Sequence, residues 1–290
     1  MHSVVAAVDW SIIKDRILHP DSTFVSAMWK TVYIAVVSQI IGVLLGLVSA
    51  LCRMSRLRVL RLLSGLYVLV FRGTPVIVQI FFVYFGANLL FGFDLFPRNL
   101  SFGGFAISGA ILAGITALSV NEGAYMREII RAGIDSIDKG QMEAAKSLGM
   151  SPGLAMRRIV LPQAARVIVP PLGNEFNNML KTTSLLAFIG VTEMFQDADI
   201  HYSTTFKPVE YFAAVAFWYL VLTTIWSFIQ AWIERKLAAD EHGDELSFRE
   251  RWRRALVPVH ADNAWWRVRG GATSSCVRRT CTRASAASRC

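Results

Sequence analysis

The stretch Glu143-Ala144-Ala145-Lys146-Ser147-Leu148-Gly149, followed after nine further residues by Ile159 and then by Leu161-Pro162, decides how this chain is read. It carries charge, yet it lies between hydrophobic segments long enough to cross a bilayer. Gln141, Glu143, Ala144, Ala145 and Lys146 all suit a short surface helix. Gly149 is free to take a positive φ and end that helix. Ser151 is placed to cap a second helix, with Pro152 in its first turn. The pattern predicts two short helices set at an angle across a glycine turn. An amphipathic unit of that shape fits a cleft on another protein, and its place between membrane segments puts that partner at the membrane surface.

The surrounding composition supports a membrane setting. Hydrophobic residues make up 54% of the 290, mean hydropathy is +0.43, and the 18% of charged residues are bunched into a few stretches. Segregation of this kind marks a polytopic membrane protein. The net charge of +9 is accounted for by basic loops and a basic tail, and no nucleic-acid partner is expected. No cleavable signal peptide is expected in Met1–Asp21, where Asp9, Lys14, Asp15 and Arg16 interrupt any apolar core. Three of the four cysteines (Cys276, Cys281, Cys290) lie in the last fifteen residues without zinc-ligand spacing, so no metal is expected.

Five spans satisfy every loop, giving an all-α polytopic protein. Thr31–Leu51 is uncharged and long enough for about 30 Å of hydrocarbon. Arg53, Arg56, Arg58 and Arg61 follow at once, which places that end in the cytoplasm and the N-terminus outside. The second span runs from Leu62 to Phe91 and is expected to break near Arg72-Gly73-Thr74-Pro75. Phe93–Gly103 reads as a short external loop and Phe105–Val120 as the third span, rich in small residues. Arg127 to Arg166 reads as a long cytoplasmic connection, and the fourth span falls within Val167–Ile189. Thr192–Glu210, rich in acid, reads as external, and Tyr211–Ile233 is the fifth span, with the C-terminus inside. Residues 1–23 form an extracytoplasmic segment, 24–238 the membrane domain, and 239–290 a basic tail without periodicity, expected to be solvated or to lie on lipid headgroups.

The spaced pattern from Glu143 to Pro162 resembles the cytoplasmic loop by which permeases of ATP-binding-cassette importers dock onto their ATPase subunits. The resemblance narrows to the polar amino-acid uptake subfamily, similar to histidine, glutamine and arginine permeases. It is carried by Phe71-Arg72-Gly73-Thr74-Pro75 with Val78-Gln79, by Ala124-Tyr125 with Glu128–Arg131, by Pro170–Phe176, and by Lys181-Thr182-Thr183-Ser184-Leu185. It covers roughly Phe24 to Leu237, and it departs at Thr182, where the subfamily often has aspartate. The resemblance implies a non-catalytic permease subunit of a bacterial plasma-membrane importer for polar amino acids. It also implies a coupling helix in which Glu143, Ala144, Ala145, Ser147 and Gly149 meet the ATPase. The implied partners are an ATPase dimer, a second permease (the same or a sibling) and an extracytoplasmic solute-binding protein, in a lipid bilayer.

Polar residues within the spans are the candidates for the solute path, because ionisable groups at membrane depth face a cavity or a partner. Asn174, Glu175, Asn178 and Thr182 gather near an expected bend after Pro170-Pro171, and Glu122 ends the third span. A zwitterion needs this mixture, a carboxylate for its ammonium and amides for its carboxylate. The competing reading makes Glu175 a structural partner of Arg72 or Lys181, and sets Glu122 beside Arg127 at the interface. Trp218, Tyr219 and Trp226 are expected to pack rather than bind, and Gln79 to bond between helices. No Gly-x-x-x-x-Gly-Lys-Ser/Thr run occurs, so the chain does not cradle ATP phosphates in that way, and no hydrolase or metal motif occurs. The alternative to an ATP-driven importer is a gradient-driven carrier with Glu175 or Glu122 as proton site.

Overall fold

The computed structural model of the chain describes residues 8–86, 89–90, 92, 95–97, 99–102 and 105–238. The basic tail and the residues before Val8 lie outside that set. In chain order the described elements are α1 (Trp10–Leu18), α2 (Ser22–Met54), α3 (Arg58–Gly73) and α4 (Val76–Phe81), the last extended by a π turn to Gly86. A short hairpin of β1 (Asn99–Phe102) and β2 (Phe105–Ser108) follows. Then come α5 (Gly109–Asp135), α6 (Lys139–Ser147), α7 (Pro152–Ala155), α8 (Leu161–Thr182), α9 (Met194–Thr205) and α10 (Pro208–Ala238).

The core is built on α2 against α5. Buried positions on α2 recur as Ile34, Ala35, Ser38, Gln39, Gly42, Gly46, Ser49 and Ala50, a helical stripe. Gly42 and Gly46 form a small-xxx-small pair that lets the backbones close up. A Cβ on Gly46 would lie 2.4 Å from Met126 Cβ and 2.9 Å from Arg127 N. Ile34, Ala35, Ala117 and Leu118 then meet Phe176, Leu180 and Leu186 from α8 and the 3-10 turn after it. The opposite face of α2 leaves Ile40, Leu44, Leu47, Val48 and Leu51 exposed, a surface suited to lipid rather than water.

The expected break in the second span is present. α3 and the α4 segment meet at 108°. Pro75 has no N–H, so the Phe71 carbonyl one turn back loses its helical donor. Side chains replace it: Gln79 Nε2 at 2.9 Å and Asn121 Nδ2 at 3.0 Å both donate to Phe71 O. Gln79 also bonds Thr74, and its Oε1 accepts from Asn121. Gln79 therefore joins helices, as expected, by satisfying the backbone of the break.

Two sequence boundaries are corrected. Residues 105–108 are strand, so the helix expected from Phe105 starts at Gly109. That helix does not stop at Val120; it runs 27 residues to Asp135, through the segment read as cytoplasmic connection. Its charges pair among themselves: Arg127 with Glu128, and Arg131 with both Glu128 and Asp135, so they do not break the helix. Thr192–Glu210, read as external, contains α9, which the wholly buried Glu193 caps by accepting from the N–H groups of Phe195 and Gln196. Of the expected loop 93–103, residues 99–102 form β1 while 93, 94, 98 and 103 lie outside the described residues.

By length and composition, Ser22–Met54 and Pro208–Leu237 could each cross a membrane, and the bent α3–α4 pair passes together. α5 and α8 are helical where the third and fourth spans were expected but fall short on that measure; Asn121 and Glu122 interrupt the first, and Asn174 to Asn178 the second. Trp218, Tyr219 and Trp226 pack inward as expected, and each also donates a hydrogen bond, to Arg16 O, Glu193 and Gly173 O respectively.

Candidate functional site

The loop after α5 is organised by local chemistry. Asp138 caps α6, its side chain accepting from Gly140 N at 2.8 Å. At the other end Gly149 takes φ +79°. Gly149 N donates to Lys146 O at 2.9 Å and Met150 N to Ala145 O at 3.1 Å, the paired bonds of a Schellman stop. Ser151 Oγ then accepts from Leu154 N at the start of α7, with Pro152 at the first helical position. Helix, glycine turn and helix are therefore all present.

The second helix is not short. α7 passes through a π turn (Met156–Val160) directly into α8, so a continuous helical rod leads from the loop to Thr182. Pro162 explains the widening, since it cannot donate to Arg158 O. Leu161 N donates instead to Met156 O, and Gln163 Nε2 bonds Ile159 O at 3.1 Å. Likewise Pro170 and Pro171 lie inside α8 rather than ending it. The expected pair of short helices is thus one short helix, α6, hung between two long ones, α5 and α8.

Of the five residues expected to meet a partner, Glu143, Ala144, Ser147 and Gly149 are exposed. Ala145 is 1% exposed and faces the chain's own interior, so it sets how closely α6 sits and does not present itself. Ser147 Oγ donates back to Glu143 O. Sequence reasoning passed over Leu148, which is 83% exposed at the tip beside Gly149. Its signal was an apolar residue at a helix end otherwise made of polar ones. A hollow of about 430 Å³ opens beside α6, lined by Ile134, Asp138, Lys139, Met142, Met156 and Val160.

The polar candidates divide between two helices. Glu122 is 4% exposed on α5 and accepts from Gln39 Nε2 at 2.9 Å. It does not pair with Arg127, which bonds Ser64 and Glu128. On α8, Glu175 interacts electrostatically with Glu122, and no bond joins it to Arg72 or Lys181; Arg72 lies over the Tyr125 ring instead. The structural reading of Glu175 is therefore not supported by those partners. Asn174 and Asn178 are exposed, Asn174 accepting a long 3.4 Å contact from Gln230, while Thr182 Oγ1 donates to Asn178 O. Among the described residues the buried polar atoms without a partner include Gln39 Oε1 and Ser119 Oγ, on the residue that bonds Glu122 and one turn before it, together with Ser38 Oγ on α2 and Asn177 Oδ1 on α8. Gln39 could not be paired with Glu122 from sequence, because 83 positions separate them.

The family profile described as binding-protein-dependent transport system inner membrane component matches residues 42–239. This chain belongs to that family. The arginine transport system permease protein ArgU of Corynebacterium glutamicum is 40% identical over 223 residues, 74% of this chain and 68% of that one. The probable amino-acid permease protein YxeN of Bacillus subtilis is 38% identical over 231 residues, 80% and 96% of the two chains. Among solved structures, an amino acid ABC transporter crystallised with histidines superimposes with TM-score 0.67 at 37% identity, covering 79% of this permease and 99% of that chain. The inward-facing MetNI methionine transporter, at 19% identity and TM-score 0.60, shares the fold.

Proposed function

We propose that this permease is the membrane subunit of an ATP-driven importer that carries amino acids, of polar type, across the bacterial plasma membrane. The observation that carries the reading is the loop: a capped α6 with exposed Glu143, Ala144, Ser147, Leu148 and Gly149, fixed at both ends to long helices. ATP is hydrolysed on separate subunits that grip this loop, and the chain itself is not catalytic. Closure of two ATPase subunits would move α6, and α5 with α8 would carry that displacement toward the membrane as levers. Five spans with the N-terminus outside and α6 in the cytoplasm fit the segregation of Arg53–Arg61 from the acidic 193–210 region. Residues 24–238 form the transport unit, preceded by an extracytoplasmic segment and followed by the basic tail. A second permease, the same or a sibling, completes the pathway, and a soluble binding protein delivers the solute.

The path is supported by the polar group between α2, α5 and α8. Glu122 with Glu175 offers negative charge for an ammonium, and Asn174, Asn178 and Thr182 on α8 offer bonds to a carboxylate. Unpartnered Gln39 Oε1 and Ser119 Oγ leave hydrogen-bonding capacity beside Glu122 that a polar solute could use. Reconstitution tests the reading. Liposomes holding the permeases with ATPase and binding protein should accumulate labelled amino acid only with ATP inside. Uptake by the permeases alone, driven by a proton gradient and abolished by Glu122→Gln or Glu175→Gln, would instead establish a secondary carrier.

A further inference from the structure

The α2–α3 hairpin carries a groove that neither the docking loop nor the solute path uses. It encloses about 300 Å³ and is almost wholly apolar, lined by Leu45, Val48 and Cys52 from α2 and by Leu60, Leu63 and Tyr67 from α3. These positions form one helical stripe on each side, and the α2 stripe spans about 10 Å at 1.5 Å per residue. That length fits within one leaflet, roughly half of a 30 Å hydrocarbon core. Two serines close the groove's inner wall: Ser49 Oγ and Ser64 Oγ lie 3.0 Å apart, and Arg127 Nε donates to Ser64 Oγ at 3.3 Å.

The mouth of the hairpin is strongly positive. Arg53, Arg56, Arg58 and Arg61 are all exposed, and none of their guanidinium groups makes an ion pair or hydrogen bond among the described residues. Arg127 lies within electrostatic reach of Arg53, Arg72 and Arg131. Arg56 lies in the turn that joins α2 to α3, four residues after Cys52 and four before Leu60 of the groove lining. An apolar slot of single-leaflet length, ending at unpaired guanidinium groups where the chain meets water, has the chemistry of one molecule: an anionic phospholipid.

We propose that the α2–α3 groove binds an anionic phospholipid, one acyl chain against Leu45, Val48, Leu60 and Leu63 and the headgroup phosphate on Arg53, Arg56 and Arg58. Guanidinium matches phosphate bidentately, and each basic residue near an anionic headgroup adds measurable affinity. The proposal rests on the reading of this chain as membrane-spanning and puts this hairpin turn at the water interface. Cys52, the free cysteine among the described residues, lines the groove and reports on its occupancy.

The experiment uses the full chain in nanodiscs, with Cys276, Cys281 and Cys290 replaced by serine. Discs of phosphatidylcholine are compared with discs containing increasing phosphatidylglycerol. Phosphatidylglycerol should slow maleimide alkylation of Cys52 and remain bound in native mass spectra. Arg53→Gln and Arg56→Gln should each weaken that retention about fivefold, as expected for one basic contact. Equal retention of the two lipids by the unaltered chain would overturn the proposal. So would Cys52 protected in every lipid together with Cys52–Cys52 crosslinking, which would assign the groove to a second copy of the permease. Failure of the chain to enter discs at all would overturn the membrane reading beneath it, an outcome separate from lack of lipid preference.

Discussion

Replacing Gly46 by alanine should loosen the α2–α5 seam, and the same change at Gly65 supplies the reference. Both glycines lie inside helices, so both substitutions gain up to about 1 kcal/mol of helix propensity. They differ in surroundings. The new Cβ at position 46 would stand 2.4 Å from Met126 Cβ, 2.9 Å from Arg127 N and 3.0 Å from Met126 C, atoms fixed to the backbone of α5. At position 65 nothing lies within 4 Å. Overpacking of a filled core costs about 1–3 kcal/mol. The difference between the variants therefore isolates the clash: Gly46→Ala should be less stable than Gly65→Ala by about 1–3 kcal/mol. In a chain of this size that corresponds to several degrees in Tm, at about 2–4 °C per kcal/mol. Thermal unfolding of the two purified variants in one detergent measures it. Equal stability, or a more stable Gly46→Ala, would refute the close approach of α2 to α5 on which the arrangement of Gln39 and Glu122 depends.

Gly149→Ala should strain the loop by about 1–2 kcal/mol, since φ +79° is left-handed. Gly149→Asn should be milder, and the two should rank in that order for ATP hydrolysis stimulated by solute-loaded binding protein. Gln79→Leu removes donors to Phe71 O and Thr74 O and should destabilise by about 1–3 kcal/mol. Its effect should combine non-additively with that of Asn121→Leu, measured by thermal unfolding of the single and double variants. Asp9 is held down to about 2 by hydrogen bonds from Ser11 and then Lys207. Because this carboxylate is depressed, its tie to Lys207 is complete above the unfolded value near 3.9 and is lost as pH falls through about 2. Proteolysis of α1 by an acid-active protease should rise across that window in the native chain, and Asp9→Asn should remove the dependence.

What the sequence could show was what neighbours along the chain decide. Gly149, Ser151 and Pro152 specify the loop's turn and caps by themselves, and Pro75 specifies the break between α3 and α4. The length of α5 was misread because Arg127, Glu128, Arg131 and Asp135 look like loop charges one at a time. Only their spacing on a helix reveals a ladder of ion pairs that continues it. The reach of α8 was hidden in the same manner: Pro162 and Pro170 suggest breaks, yet a π turn and the Gln163 and Gln230 side chains satisfy carbonyls around them. Burial of Ala145, exposure of Leu148 and the Gln39–Glu122 bond depend on packing between distant segments, which no local pattern encodes.

Cysteine crosslinking at α6 tests the account most directly. With Ser147→Cys or Ala144→Cys in the permease and cysteines around the surface cleft of its ATPase, oxidation in native membranes should join the two chains. The yield should change when ATP is trapped on the ATPase. Transport that persists while neither position ever reaches the ATPase would contradict the claim that α6 is where work enters this protein.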